Sequence, residues 1–472
     1  MMSGNRTIDA CWKDEIQSES ERSRVERSID WEEALHLYEN VIAGESKALQ
    51  VRAIINVARL ADHAPDDILA RTIPVLVELL GSPIGNSSPS IQEAAAHCLK
   101  CIACQGEGAL AVIIGQSGAI SSILRLLPHS HCRLQRLLLK CLRNIVTFGD
   151  LNRMIVVRNG GLEIILNMFN SCPDGSRRFL LEILSALALL REVRRVIVSL
   201  GGLLFLVESA RCGSMISRTR AAQAIGLLGL VRRVRRMLVD SGAIPALIDL
   251  LRDGDVSTKL VAGNALGVIS SHVDYIRPVA QAGAIPLYAE LLQGPDPMGK
   301  EIAEDAFCIL AVTEANAVTI SEHLVTILRG DNDEAKAAAA NVLWDLSGYK
   351  HSLSVIQNSG AIPILVELLG NGNGDVREKV SGAVAQLSYN EVDRVALADA
   401  GAIPTLIDML QDESEELRDN AAEALVNFSE DSLLCDRICD AFSNPSFQTM
   451  QDRLIQIRAS DARLAVFDTD EH

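Results

Sequence analysis

The feature that most limits what this chain can fold into is a phrase that keeps returning. Gly242-Ala243-Ile244-Pro245 begins a segment that ends in Leu250-Leu251. It recurs as Gly283-Ala284-Ile285-Pro286, as Gly360-Ala361-Ile362-Pro363 and as Gly401-Ala402-Ile403-Pro404. Weaker copies start at Ile73-Pro74, Gly118-Ala119-Ile120, Gly161-Leu162 and Gly202-Leu203, and a degenerate one without Gly or Pro covers Ser321 to Leu328. The isoleucine position falls at 73, 120, 162, 203, 244, 285, 321, 362 and 403, in steps of 47, 42, 41, 41, 41, 36, 41 and 41. A fixed period of this length means one small unit, unable to bury its apolar face alone, stacked on copies of itself.

Each unit parses into three helices. Glycine accepts the left-handed conformation that ends a short first helix. Proline fits the first turn of the second, where its missing N–H is no loss. A polar turn such as Gln411–Glu416 follows, and then a longer, Ala-rich third helix such as Glu416–Ser429. The composition agrees: 48% of the chain is hydrophobic but only 4% aromatic. Aliphatic and small side chains of this kind suit repeated helices rather than sheets.

The period belongs to the HEAT and armadillo class. The third helices narrow the resemblance through Ala53-Ile54-Ile55-Asn56-Val57, Cys141-Leu142-Arg143-Asn144-Ile145 and Ala424-Leu425-Val426-Asn427-Phe428. These are similar to the armadillo family's Ala-Leu-x-Asn-Leu phrase. The chain therefore resembles an armadillo protein from about Trp31 to Glu430, which implies an all-α fold: a right-handed α-solenoid of about ten repeats, the first lacking its opening helix. The endings Leu346-Ser347, Leu387-Ser388 and Phe428-Ser429 resemble those of plant armadillo proteins, including the armadillo region of U-box ubiquitin ligases. With no room for a U-box before Trp31, the resemblance does not imply ligase activity.

Three segments follow. Residues 1–30 are polar, with little apolar pattern beyond Ile8, Trp12 and Ile16, and read as a flexible or capping segment. Residues 31–430 are the solenoid. Residues 431–472 read as a helical cap, with helices expected at Leu433–Phe442 and Met450–Ile457, ending in an acidic tail at Asp468–His472. The loop Ser82–Ser90, with four serines and two prolines, is the candidate regulatory loop. No run has the length of a membrane span, no signal region opens the chain, and the eleven scattered cysteines do not suggest a disulfide framework. A cytoplasmic or nuclear location is the expectation.

Catalysis is not expected. There is no phosphate-cradling glycine loop, His-Glu-x-x-His or Gly-x-Ser-x-Gly motif, and no cofactor is implied. Cys98, Cys101 and Cys104 beside His97 could supply zinc ligands in principle. Within one helix, however, the i to i+3 spacing spreads them around the axis, so packing is the reading for them and for Cys435 and Cys439. His129, His131 and Cys132 sit in a turn, where a metal would be adventitious.

The charge of −17 is unevenly distributed: residues 1–124 carry −7, residues 125–236 carry +13 and residues 237–472 carry −23. In the armadillo family the third helices line a concave groove, and their Asn binds the backbone of an extended peptide. On that resemblance the groove residues here are Asn56, Arg133, Arg136, Lys140, Asn144, Arg178, Arg220 and Asn427. The other Asn-equivalent positions read Cys101, Ala186, Leu227, Val268, about Ala311, Asp345 and Gln386, and no Trp stands one turn earlier. The ladder of a nuclear-import receptor is thus missing, and that reading is disfavoured. Arg133, Arg136, Lys140 and Asn144 share one helix face by their spacing, while the C-terminal groove is acidic through Glu334, Asp345, Asp375, Glu378, Glu416, Asp419 and Glu423, interrupted by Lys379. A second basic group, Arg191, Arg194, Arg195, Arg232, Arg233, Arg235 and Arg236, falls along one edge at the first helices. The expected function is a scaffold that holds acidic or phosphorylated protein segments. The alternatives are an adaptor presenting clients to a ubiquitin ligase or cytoskeletal complex, and self-association of the basic centre with the acidic half. Nucleic acid is disfavoured by the net charge and the scarcity of aromatic residues.

Overall fold

The computed structural model describes residues 30–456 apart from 83–87, 170 and 349. The segment 1–29, most of the serine-rich loop and the acidic tail lie outside the described residues. Among those described, every regular element is a helix, and the chain is an all-α solenoid as its period implied. No single described helix is long and apolar enough to cross a membrane.

Two compact units divide at Cys172 and Pro173. In the first, the long helices Lys47–Leu60, Pro89–Ile102 and Cys132–Thr147 pack each against the next. In the second, Asp174–Leu187, Met215–Gly229, Val256–Ser270, Pro297–Leu310, Asp333–Ser347, Gly374–Leu387 and Glu415–Ser429 do the same in sequence order. Small residues set the spacing. A Cβ on Gly226 would stand 3.2 Å from that of Ala265, and one on Gly382 would stand 2.5 Å from the Trp344 ring. The alanines at 221, 222, 224, 262, 265, 303 and 306 are buried at the same contacts.

The break between the first two helices of a repeat is made by glycine, not proline. Gly118, Gly160, Gly201, Gly242, Gly283, Gly360 and Gly401 all have positive φ. At Gly242 the turn closes through two hydrogen bonds, Ser241 N–H to Met237 O at 3.0 Å and Gly242 N–H to Val239 O at 2.9 Å. In the two Gly-Gly repeats the left-handed residue is Gly160 or Gly201, one position before the glycine of the sequence phrase, while Gly161 and Gly202 begin the second helix. Where no glycine precedes the phrase, the two helices fuse. Asp66–Gly81 runs through Pro74, and Glu314–Leu328 takes in the degenerate copy. Among the described residues the first repeat has one helix before its long helix, Trp31–Ala43, started by Asp30, whose carboxylate accepts from the Glu32 and Glu33 N–H groups at 3.1 Å.

The polar turns start the long helices of the second unit. Ser214, Asp255, Asp296, Asn332, Asn373 and Ser414 each accept a first-turn N–H through the side chain, a bond that stabilises a helix by about 1 kcal/mol. At the other end of this unit, the short 3-10 helix Cys435–Ala441 packs on Glu415–Ser429 and Ala402–Met409, and a helix over residues 445–456 buries Phe447, Met450 and Leu454.

A second joint recurs at the start of the short helices. Their third residue points in under the end of the preceding long helix. Asn152 donates there to the carbonyls of Ile145, Ala111 and Phe148 at 3.0–3.1 Å, and Asn316 to that of Leu310 at 2.9 Å. In the helix Glu391–Asp399 this residue is Asp393, which is fully buried and has no hydrogen bond to either carboxylate oxygen. Burial pushes its carboxyl group up, and Gln357 only partly opposes the shift without completing a hydrogen bond.

Two measurements check these joints. Gly401 has φ 92° and open space where a Cβ would go, so Gly401→Ala carries backbone strain without a clash. It should cost about 1–2 kcal/mol; an unchanged thermal unfolding midpoint would contradict the role given to the left-handed turn. Asp393 has a folded-state pKa above that of the unfolded chain. Stability is therefore complete below the unfolded value and falls as pH rises through the folded one. Asp393→Asn should remove that fall and stabilise the protein at neutral pH by about 1–3 kcal/mol, as read from urea denaturation at acid and neutral pH.

Candidate protein-interaction surfaces

The long helices bury their aliphatic faces and leave a polar side open. On Cys132–Thr147, Arg133 and Arg136 are exposed, and Lys140 is half-buried. Arg133 pairs with Glu93 of the preceding long helix at 3.3 Å, while Arg136 has no ion pair or hydrogen bond. His97 lies between the two helices. Burial lowers its pKa, and the Lys100 and Lys140 ammonium groups lower it further.

The asparagines behave differently. Asn144 is buried; its amide donates to Lys100 O and Cys104 Sγ at 2.9 Å, and its oxygen accepts from Arg143 at 2.6 and 2.9 Å. Asn427 is likewise buried, donating to Ser388 Oγ at 2.8 Å. Both tie one repeat to the one before it and present no free amide to a peptide backbone. Asn56 is exposed, beside an apolar cavity of 300 Å³ lined by Trp31, Leu35, Tyr38, Val57, Leu60 and Leu69. The cavity had no signal in the repeat pattern.

In the second unit, Arg178 is half-buried with its guanidinium 4.6 Å from the Phe179 ring, and Arg220 lies 4.0 Å from Glu182 and donates to Gln223 at 3.1 Å. Both are partly engaged. Farther along, Lys300 pairs with Glu334, and the Tyr389 hydroxyl donates to Glu423 at 2.6 Å. Beside the 445–456 helix a groove of 740 Å³ collects Glu415, Glu416, Asp419 and Glu423, with Arg453 opposite in charge. Cys308 rather than Ala311 faces Asp345, and burial with that carboxylate pushes its thiol up to about 12.

The seven arginines of the basic edge split into two groups. Arg194 is buried, and Arg235 is half-buried; each sends Nε to a carbonyl at the end of the preceding long helix, Ala188 at 2.7 Å and Gly229 at 2.9 Å. In their own repeats Arg153 donates to Val146 O through Nε and Arg394 to Ser388 O through Nη1. A cation is favourable at a helix C-terminus, so these arginines are joints of the fold. Arg191, Arg195, Arg232, Arg233 and Arg236 point outward and are exposed.

Of the candidate metal ligands, Cys98 is buried, with its thiol raised by burial, and Cys101 is half-buried. Cys104 is bonded to Asn144. Among the described residues no group of three or more His, Cys, Asp or Glu side chains is placed to hold a metal ion.

The fold and these surfaces define a helical-repeat protein. The armadillo/beta-catenin-like repeat matches residues 232–271 and 390–430, two segments of the second unit that are similar to that repeat. Such repeats are generally protein-interaction scaffolds. A solved structure described as an engineered protein from the Northeast Structural Genomics Consortium is similar, with a TM-score of 0.68 and 23% identity over 84% of this chain and 98% of that one. At that identity the likeness concerns the fold alone. No curated protein matches the chain.

The split of the arginines is testable by stability alone. Arg194→Met leaves two carbonyls without their donor and should cost about 1–3 kcal/mol. Its neighbour Arg195→Met should change stability by less than about 0.5 kcal/mol. Equal losses in chemical denaturation would contradict the division.

Proposed function

We propose that this protein is a non-catalytic scaffold that holds acidic or phosphorylated segments of other proteins against the open side of its long helices, with one such place in the first unit. The observation that carries this reading is the gathering of cations around His97. Lys100 and Lys140 stand close enough to depress its pKa, Arg136 is unpaired, and Glu93 is the acid that meets Arg133. A carboxylate or phosphate brought there gains from several cations at once, and the planar guanidinium fork suits both groups. Asn144 supports the site from beneath by fixing the spacing of the two helices.

Two linked measurements test the reading on the full chain, with an acidic phosphoserine peptide as probe. Arg133→Glu combined with Arg136→Glu should weaken binding by about tenfold or more, roughly 1.4 kcal/mol, and flatten its dependence on salt. In the wild-type complex the His97 pKa, followed by NMR, should rise as the anion offsets Lys100 and Lys140. Unchanged affinity in the double variant, or a His97 titration indifferent to the peptide, would remove the site.

A further inference from the structure

Three consecutive short helices of the second unit, Arg191–Ser199, Arg232–Asp240 and Val273–Gln281, line an open groove of 1040 Å³. These are the opening helices of their repeats, so the groove belongs to none of the long-helix faces. Its charge is not neutralised. Arg195, Arg232 and Arg233 have neither ion pair nor hydrogen bond, and Arg236 reaches only Asp240, at 3.8 Å with both side chains largely exposed. On the facing wall the single acid, Asp274, is largely exposed, and its backbone N–H donates to His272 Nδ1 at 3.4 Å, so one carboxylate stands against four arginines.

The placing of these arginines is as telling as their number. Arg232 and Arg233 are the first two residues of a helix with no acid in its first turn and no side-chain cap from Val231. That end of a helix carries the positive pole of the macrodipole and free N–H groups, so cations there are unfavourable and an anion is favourable. The equivalent helix Glu391–Asp399 has the ordinary arrangement, with Glu391 and Asp393 in its first turn and Asn390 capping. Like charge gathered at a positive helix end, with no acid to relieve it, is an arrangement that a bound anion would stabilise.

Between the arginines the lining is apolar, with Val198, Val231, Met237 and the Tyr275 ring. Met237 is 40% exposed, an apolar surface with no partner in the chain. We propose that this groove binds a phosphorylated peptide segment, the arginines taking the phosphate and Met237 with Val198 taking an apolar side chain beside it. The guanidinium fork matches phosphate oxygens two at a time. The concavity favours a peptide over an anionic membrane, because a bilayer surface reaches only the rim of a groove, whereas an extended segment enters it. The site is independent of the long-helix surface around His97, in residues and in helices.

The experiment uses the full chain immobilised against a pool of short peptides with a central phosphoserine and randomised flanks, alongside the same pool dephosphorylated. The phosphorylated pool should be retained, enriched in an apolar residue next to the phosphoserine, and the dephosphorylated pool should be retained at least about tenfold less. Arg232→Glu combined with Arg233→Glu should abolish that enrichment. It should not lower the thermal midpoint, because neither side chain has a partner to lose and acids are favoured at that helix end. Arg133→Glu combined with Arg136→Glu should leave the enrichment intact, which separates this site from the one around His97. The proposal is overturned if inorganic phosphate alone is bound as well as the peptides, or if the Arg232/Arg233 variant, combined with Arg133→Glu and Arg136→Glu to silence the site around His97, retains the same peptides. It also fails if vesicles of phosphatidylserine and phosphatidylcholine bind through these arginines while the peptide pool does not.

Discussion

The close approach of one long helix to the next is the contact on which the rest of this protein depends. Where Gly382 meets the Trp344 ring there is no space for another carbon atom, and where Gly226 meets Ala265 one would fit only if its neighbour gave way. Dispersion and burial at such contacts are worth most when no void is left, which explains a core made of alanine, leucine, isoleucine and valine with so few aromatic rings. It also explains why the arrangement extends along the chain. Within each unit every long helix packs on the next in sequence, and its remaining side is left open to solvent.

Stacking of this kind leaves a problem at every helix end, because the last carbonyls of a long helix lie against the next short helix rather than in water. The chain solves it with side chains of different chemistry at adjacent positions. An asparagine does it at 152 and 316, and an arginine one position further on does it at 153, 194, 235 and 394. Asp393 is the exception, an acid at the position where Asn152 and Asn316 place a donor. One residue type therefore has two roles within a single turn of helix. Arg194 lies under a helix end, and Arg195 beside it faces solvent.

That distinction reorganises the electrostatics. A count of charges marks residues 125–236 as basic but cannot separate a cation committed to carbonyls from one available to a ligand. After Arg194 and Arg235 are assigned to the fold, and Arg220 to Glu182, the free positive charge of the second unit concentrates on the outer faces of the short helices. In the first unit, cations gather around His97.

The periodicity of 41 determined the helical class, the number of long helices and the position of each turn, because those are local matters of glycine conformation and apolar spacing. Local rules also mislead where the break is concerned: a proline phrase without glycine, at Pro74, lies inside a continuous helix. The solvent exposure of the Asn56 position and the burial of Asn144 and Asn427 are not local. The three residues occupy the same place in the same phrase, yet Asn144 and Asn427 each have a preceding long helix to bond, and Asn56 stands in the first repeat, with none before it among the described residues. The sequence by itself determined what each unit is. Which polar groups are consumed between units, and which remain free for a partner, was decided only by the tertiary structure, because hydrogen bonds across a repeat boundary depend on the neighbour and not on the phrase.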